Sequence, residues 1–312
     1  MDESSFGEDY GGTYRSGLVA IIGPPNAGKS TLLNQFLGQK VAIVSPKPQT
    51  TRNQISGILS TDEAQVVFLD TPGVHKSGQR FNRYMVDAAW RALTASEAVL
   101  LVLDAGLYLA RPQLLERDTS LMRKRVQQSG NPVFLALNKT DTIKDKSRLL
   151  PLLQRLSELW PEAELHPISA LRGNETDALL SGLLGALPEG PPLYPEDQIS
   201  TLPMRFMTAE IIREKLFLAL EKELPYNLAV IVEQWEERPT GISVYATIYV
   251  ARPSQKAIVI GKGGRLLKEI GQQSRLELAE MIEKPVHLDL WVKVKKRWHE
   301  DMSFLGELGL TE

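Results

Sequence analysis

The chain has 312 residues, with 36 Lys and Arg against 38 Asp and Glu, 43% hydrophobic residues and no cysteine. That length suits two domains, and the composition is that of a globular protein rather than a disordered or fibrous one. The missing thiols exclude a disulfide framework and a thiolate metal site and permit a reducing cytoplasm, and no run approaches the roughly 18 apolar residues that cross a bilayer.

Residues 1–15 are acidic and rich in Gly and Ser, with no apolar stretch, which excludes a secretory signal and predicts a disordered tail. The apolar run at 18–22 then leads into Gly23-Pro24-Pro25-Asn26-Ala27-Gly28-Lys29-Ser30, followed by Thr31 and an apolar-periodic segment to Leu37. Strand, glycine-rich loop and helix in that order predict a P-loop. Its backbone N–H groups and the helix N-terminus would surround a β-phosphate. Lys29 would reach the β- and γ-phosphates, and the Ser30 hydroxyl would ligate Mg²⁺.

Further apolar runs predict strands at 55–59, 66–70, 98–104, 133–138 and 165–169, separated by helical periodicity at 81–94, 113–128 and 149–159. Alternation of this kind implies a mostly parallel sheet with helices on both faces, here a P-loop GTPase domain over 16–187. Three strand ends carry motifs. Asp70-Thr71-Pro72-Gly73 is a DxxG, in which Asp70 would hold a Mg²⁺-bound water and Gly73 would offer its N–H to the γ-phosphate. Asn138-Lys139-Thr140-Asp141 is an NKxD, whose carboxylate can accept from both the ring N–H and the exocyclic amine of guanine. Adenine has no such donor pair, and a buried polar site left unpaired discriminates by about 10⁴-fold. Ser169-Ala170-Leu171 would complete the clasp on the base. Together the four motifs predict GTP as the nucleotide.

A proline-rich stretch then predicts a semi-rigid extended linker over 188–203. Beyond it, residues 204–312 read as helix (207–223), strands (229–236 and 242–251), a short helix (254–260), Gly261-Lys262-Gly263-Gly264, a longer helix (265–282), a strand (286–295) and a short terminal helix (297–308). Two helices flanking a GxxG loop on a small sheet is the α+β layout of a KH domain, and strands preceding the helix pair give its type II order. Between 252 and 297 lie eleven basic and five acidic residues. The excess suits a polyanion, although a solvated helix face accounts for charge balance alone equally well. Lys262, Arg265 and Lys268 are the candidate phosphate contacts, and Ile258 and Ile260 the candidate base platform.

With these residues in place the chain resembles the Era family of bacterial GTPases from Ser16 onward. Pro48-Gln49-Thr50-Thr51-Arg52 and the run from Val286 to Lys295 add to the likeness. The resemblance implies GTP hydrolysis, binding to the 3′ end of 16S rRNA, and a role in maturation of the small (30S) ribosomal subunit. A cytoplasmic monomer is expected, with some members peripheral at the inner membrane. Thr51, with Thr50 as the alternative, is expected to be the second protein ligand of Mg²⁺. Val74 follows the DxxG at the place where many GTPases have a water-orienting glutamine, a substitution that matches the family, so intrinsic turnover should be slow. Asn26 matches the P-loop asparagine that helps potassium-activated GTPases to ligate K⁺. Two other readings remain: a membrane-associated regulatory GTPase, and an RNA-binding scaffold that holds nucleotide without turnover. A GxxG loop in place of a basic amphipathic helix speaks against the first, and intact Lys29, Ser30 and Asp70 against the second.

Overall fold

The computed structural model describes residues 14–48, 50–74 and 80–310, with backbone alone for 80–85. These fall into two units, one of residues 14–41, 54–74 and 87–201, the other containing 42–53 and 202–310.

In the first unit the elements are β1 (Arg15–Ile22), α1 (Lys29–Leu37), β2 (Ile55–Ser60), β3 (Ala64–Asp70), α2 (Arg80–Ala95, of which the part from Asp87 on belongs to this unit), β4 (Ala98–Asp104), α3 (Ala105–Ala110), α4 (Gln113–Ser129), β5 (Val133–Asn138), α5 (Leu149–Leu159), β6 (Ala163–Pro167) and α6 (Thr176–Gly185). The sheet runs β2-β3-β1-β4-β5-β6, and only β2 is antiparallel to its neighbour. Ala98 through Leu103 of β4 are all buried, as a strand covered on both faces requires. The helices that cover it carry narrow apolar stripes, as α4 does with Leu115, Met122 and Val126. Strand register then collects the motifs. Ile21 pairs with Asp70, and Asp104 with Asn138, so the loops after β1, β3 and β5 leave the sheet at its carboxyl edge. Strand β1 lies between β3 and β4, where the strand order reverses, and ligands of open α/β sheets bind beside such a point.

Two sequence expectations are corrected here. Tyr14 and Arg15, assigned to the disordered tail, belong to the fold: Tyr14 is buried and Arg15 opens β1. The rest of the tail, 1–13, lies outside the described residues. The stretch 188–203 is also not a spacer up to Thr201. The N–H of Ser16 donates to Pro188 O (3.0 Å), that of Gly190 to Tyr14 O (3.0 Å), and that of Ile58 on edge strand β2 to Ile199 O (2.8 Å). Gln65, fully buried, accepts from the N–H groups of Leu193 and Tyr194 and donates to Tyr194 O. Proline cannot pair as a central strand, but an extended chain can satisfy the open amides of a sheet edge, which is what this strap does.

The second unit contains α7 (Met204–Ala219), β7 (Leu228–Arg238), β8 (Gly241–Val250), α8 (Pro253–Ile260), α9 (Arg265–Ile282), β9 (Val286–Val294) and α10 (Met302–Glu307). Helix α7 starts and stops earlier than its periodicity suggested: Pro203 caps its start, and Leu220 turns extended before a 3₁₀ turn at Pro225–Asn227. Strands β7 and β8 form an antiparallel pair with a bulge between Val232 and Gln234, and β9 adds parallel to β8. A parallel neighbour needs a crossover, and α8, the GxxG loop and α9 supply it. One face of the sheet packs on these helices through Ile212, Leu216, Ile248, Val259, Ile270 and Val292. Each such side chain contributes about 1.5–3 kcal/mol by leaving water. Trp298, Phe304 and Leu305 form a separate small core with Ala229, Ile231 and Tyr249. No helix among the described residues is long and apolar enough to cross a membrane.

Candidate functional site

The loop from Gly23 to Ser30 takes its shape from a close approach that its glycines permit. Gly28 is left-handed (φ 97°), and a Cβ there would lie 2.3 Å from Asn138 Nδ2. Lys29, at the first position of α1, is 6% exposed and donates from Nζ to Gly23 O (3.2 Å) and Pro24 O (3.1 Å). Burial pushes its ammonium down to about 8, with Asp70 pulling the other way. The Ser30 hydroxyl donates to Asp70 Oδ2 at 2.6 Å, which joins the P-loop to the first residue of the DxxG. Thr71 secures that loop from below by donating to Ile21 O (2.8 Å), and Val74 N donates to Gly23 O (3.1 Å). The structure thus brings the loops at 23–31 and 70–73 together.

Asn138 links three loops. It is 2% exposed; its Nδ2 donates to Ala27 O (2.9 Å), and its Oδ1 accepts from Lys139 N (2.7 Å) and Ala170 N (2.9 Å). Asp141 Oδ1 accepts from the buried Ser169 hydroxyl at 2.6 Å, which fixes the orientation of the carboxylate. Thr140 is held through both N–H and hydroxyl to Ile168 O. Leu171 differs from its neighbours: Ser169 and Ala170 are buried, whereas its side chain is 69% exposed. Lys139 Nζ spans Asn26 O (2.6 Å) and Asp104 Oδ2 (2.7 Å). Sequence reasoning missed Asp104, although it ends an apolar strand that pairs with the NKxD strand. That position was the available signal.

Hard oxygen donors suit Mg²⁺, and the Ser30 hydroxyl beside the Asp70 carboxylate is a fitting pair. Among the described residues no three His, Cys, Asp or Glu gather for a metal. The other candidate ligand, Thr51, falls with Thr50 in the segment Ala42–Asn53, which groups with the second unit.

Within that second unit the segment is tied down by side chains. Arg213 donates to Thr50 O (2.5 Å), Glu214 accepts from Val44 N (2.9 Å), and Lys47 donates to Phe217 O and Leu220 O. Arg52 is 7% exposed and donates to the carbonyls of Leu228 (2.7 Å), Tyr226 (3.1 Å) and Pro225 (3.2 Å). Burial, then the charge of Arg213, push its guanidinium down to about 9, with Glu210 acting oppositely. No sequence signal announces such a burial.

The GxxG loop is a kinked turn in which Gly261, Gly263 and Gly264 all have positive φ, and a Cβ on Gly261 would lie 2.8 Å from Leu266 Cβ. Lys262, Arg265 and Lys268 are exposed, and among the described residues none has a carboxylate within ion-pair distance. Ile258 and Ile260 do not share a face. Ile258 is 56% exposed, whereas Ile260 packs on the core, because residues two apart on a helix point in nearly opposite directions.

The fold and these loops define a P-loop GTPase that carries a KH module. Residues 18–139 match the family model described as 50S ribosome-binding GTPase, and residues 223–299 match that described as KH domain. The chain is 56% identical over 301 residues to GTPase Era of Nitratidesulfovibrio vulgaris (strain DP4), covering 96% of this chain and 98% of that one. To GTPase Era of Trichlorobacter lovleyi it is 44% identical over 298 residues, covering 95% and 98%. Two crystal structures are similar at TM-score 0.90 and 38% identity, covering 96% of this chain and 100% of theirs. One is a variant of Aquifex aeolicus Era bound to GDP·AlF4⁻, the other Era in complex with MgGDPNP and nucleotides 1506–1542 of 16S ribosomal RNA. The chain belongs to the Era family of GTPases.

Proposed function

We propose that this GTPase is a GTP-controlled switch that binds the 3′ end of 16S rRNA through its KH module and assists maturation of the small ribosomal subunit. The observation that carries the reading is a P-loop site and a GxxG loop in one chain, with an Era relative seen bound to that RNA. In the P-loop unit, Gly23 to Thr31 cradle the phosphates and Lys29 supplies a cation held ready in a water-poor site. Gly73 donates its N–H to the γ-phosphate, while Asp141, set by Ser169, reads guanine. Ser30 would ligate Mg²⁺ and Asp70 would hold a Mg²⁺-bound water, and the ion would neutralise charge on the β- and γ-phosphates. Val74 is 3% exposed and apolar, so no side chain at that position orients water. Asn26 supports K⁺ instead, and turnover should fall when Na⁺ replaces K⁺. In the second unit Lys262, Arg265 and Lys268 hold phosphates, and Ile258 alone remains as the apolar platform for a base. The test is binding of a labelled fragment of the 16S 3′ end in GTP and in GDP, with K262Q as control. Equal affinity in the two states would remove the switch, and equal affinity of K262Q would remove the loop.

A further inference from the structure

The second unit contains a cavity of about 530 Å³ at the other end of α8 from the GxxG loop, lined by Arg252, Lys296, Arg297 and His299, with Gln255 and Glu223. Two distant chain segments meet there. The parallel register that pairs Val250 with Val294 brings the start of α8 beside the turn after β9. The turn is held from behind: Trp298 is 1% exposed, stacks edge-on with Phe304, and donates from Nε1 to Asn227 O (3.3 Å). Arg297 is held at φ 50°, a conformation that non-glycine residues adopt at a cost.

The cations that converge are poorly matched by carboxylates. Lys295, next in line, is paired with Asp301 at 2.8 Å. By contrast, Arg252 and Lys296 have no carboxylate within ion-pair distance among the described residues, and Arg297 reaches only exposed Glu300 at 4.0 Å. Three exposed like charges line one hollow against a single Glu223, an arrangement whose field attracts an anion. Two guanidinium forks and one ammonium suit the oxygens of a phosphate.

We propose that this cavity is a phosphate site for single-stranded RNA, separate from the GxxG groove and reached by the same strand. The proposal rests on the RNA-binding reading above. The cavity is several times larger than an inorganic phosphate and has room for a nucleotide. Helix α8 has eight residues, so about 12 Å separates the cavity from the GxxG loop. A GxxG groove takes about four nucleotides, so a longer strand extends past it.

The experiment measures fluorescence anisotropy of wild type, R252Q/K296Q and K262Q on two RNAs from the 16S 3′ end, about four and about twelve nucleotides long, across a salt series. The double variant should bind the longer RNA about tenfold more weakly, with a salt slope reduced by about 1.4 for two lost phosphate contacts, and the short RNA unchanged. R252K/K296R should restore most of the loss, which separates charge from folding. Unchanged affinity and slope of the double variant on the longer RNA would overturn the site. Tight binding of inorganic phosphate by wild type, with no RNA effect, would overturn the RNA assignment in favour of a free anion. If K262Q binds both RNAs normally while the double variant fails on the longer, the cavity stands and the groove reading falls.

Discussion

Asn138 ties together three loops of the candidate nucleotide site, and replacing it tests that linkage directly. Truncation in N138A leaves Ala27 O, Lys139 N and Ala170 N without their partner. At about 1–1.5 kcal/mol for each of the three groups, the loss should be about 3–4.5 kcal/mol. Gly28→Ala attacks the same contact from the other side: its Cβ would press on Asn138 Nδ2, and φ 97° adds about 1–2 kcal/mol of strain. Asn138 cannot swing aside freely, because three hydrogen bonds hold it. The G28A/N138A pair should therefore be non-additive, with a coupling of about 1–3 kcal/mol, since the clash vanishes once the amide is gone. Urea unfolding of wild type, both single variants and the double gives the cycle. Penalties that add to within about 0.5 kcal/mol would refute the linkage.

Asp141→Asn exchanges an acceptor for a donor, so affinity for GTP should fall about 100-fold or more while xanthosine triphosphate, with a carbonyl in place of the amine, gains. Competition between the two nucleotides measures it, and an unchanged preference for GTP would contradict the assignment of Asp141. Gln65→Ala removes the anchor of the strap at Leu193 and Tyr194, so amide exchange of 190–201 should speed up while that of β4 does not. Trp298→Ala should cost the second unit about 3–5 kcal/mol by thermal unfolding, as for other buried large side chains.

Much of this was legible in the amino-acid order because period and burial agree. Strands β4 and β5 are unbroken apolar runs, and α5 and α9 carry stripes that end where the helices end. The P-loop and the NKxD were readable because glycine, lysine and aspartate at those spacings follow neither the strand nor the helix period of the core. What escaped notice depended on partners far away in sequence. Polar Gln65 is buried because strap amides meet it, and Arg52 because three carbonyls of its unit meet it. Ile258 and Ile260 looked alike as residue types, and only the turn of α8 separates them.

GTP turnover in K⁺ buffer, with and without an RNA carrying the 3′ end of 16S rRNA, tests the central claim most directly. A switch built from these two modules predicts slow turnover alone and a clear change when RNA binds, lost in K262Q. RNA that binds but leaves turnover unchanged would contradict it.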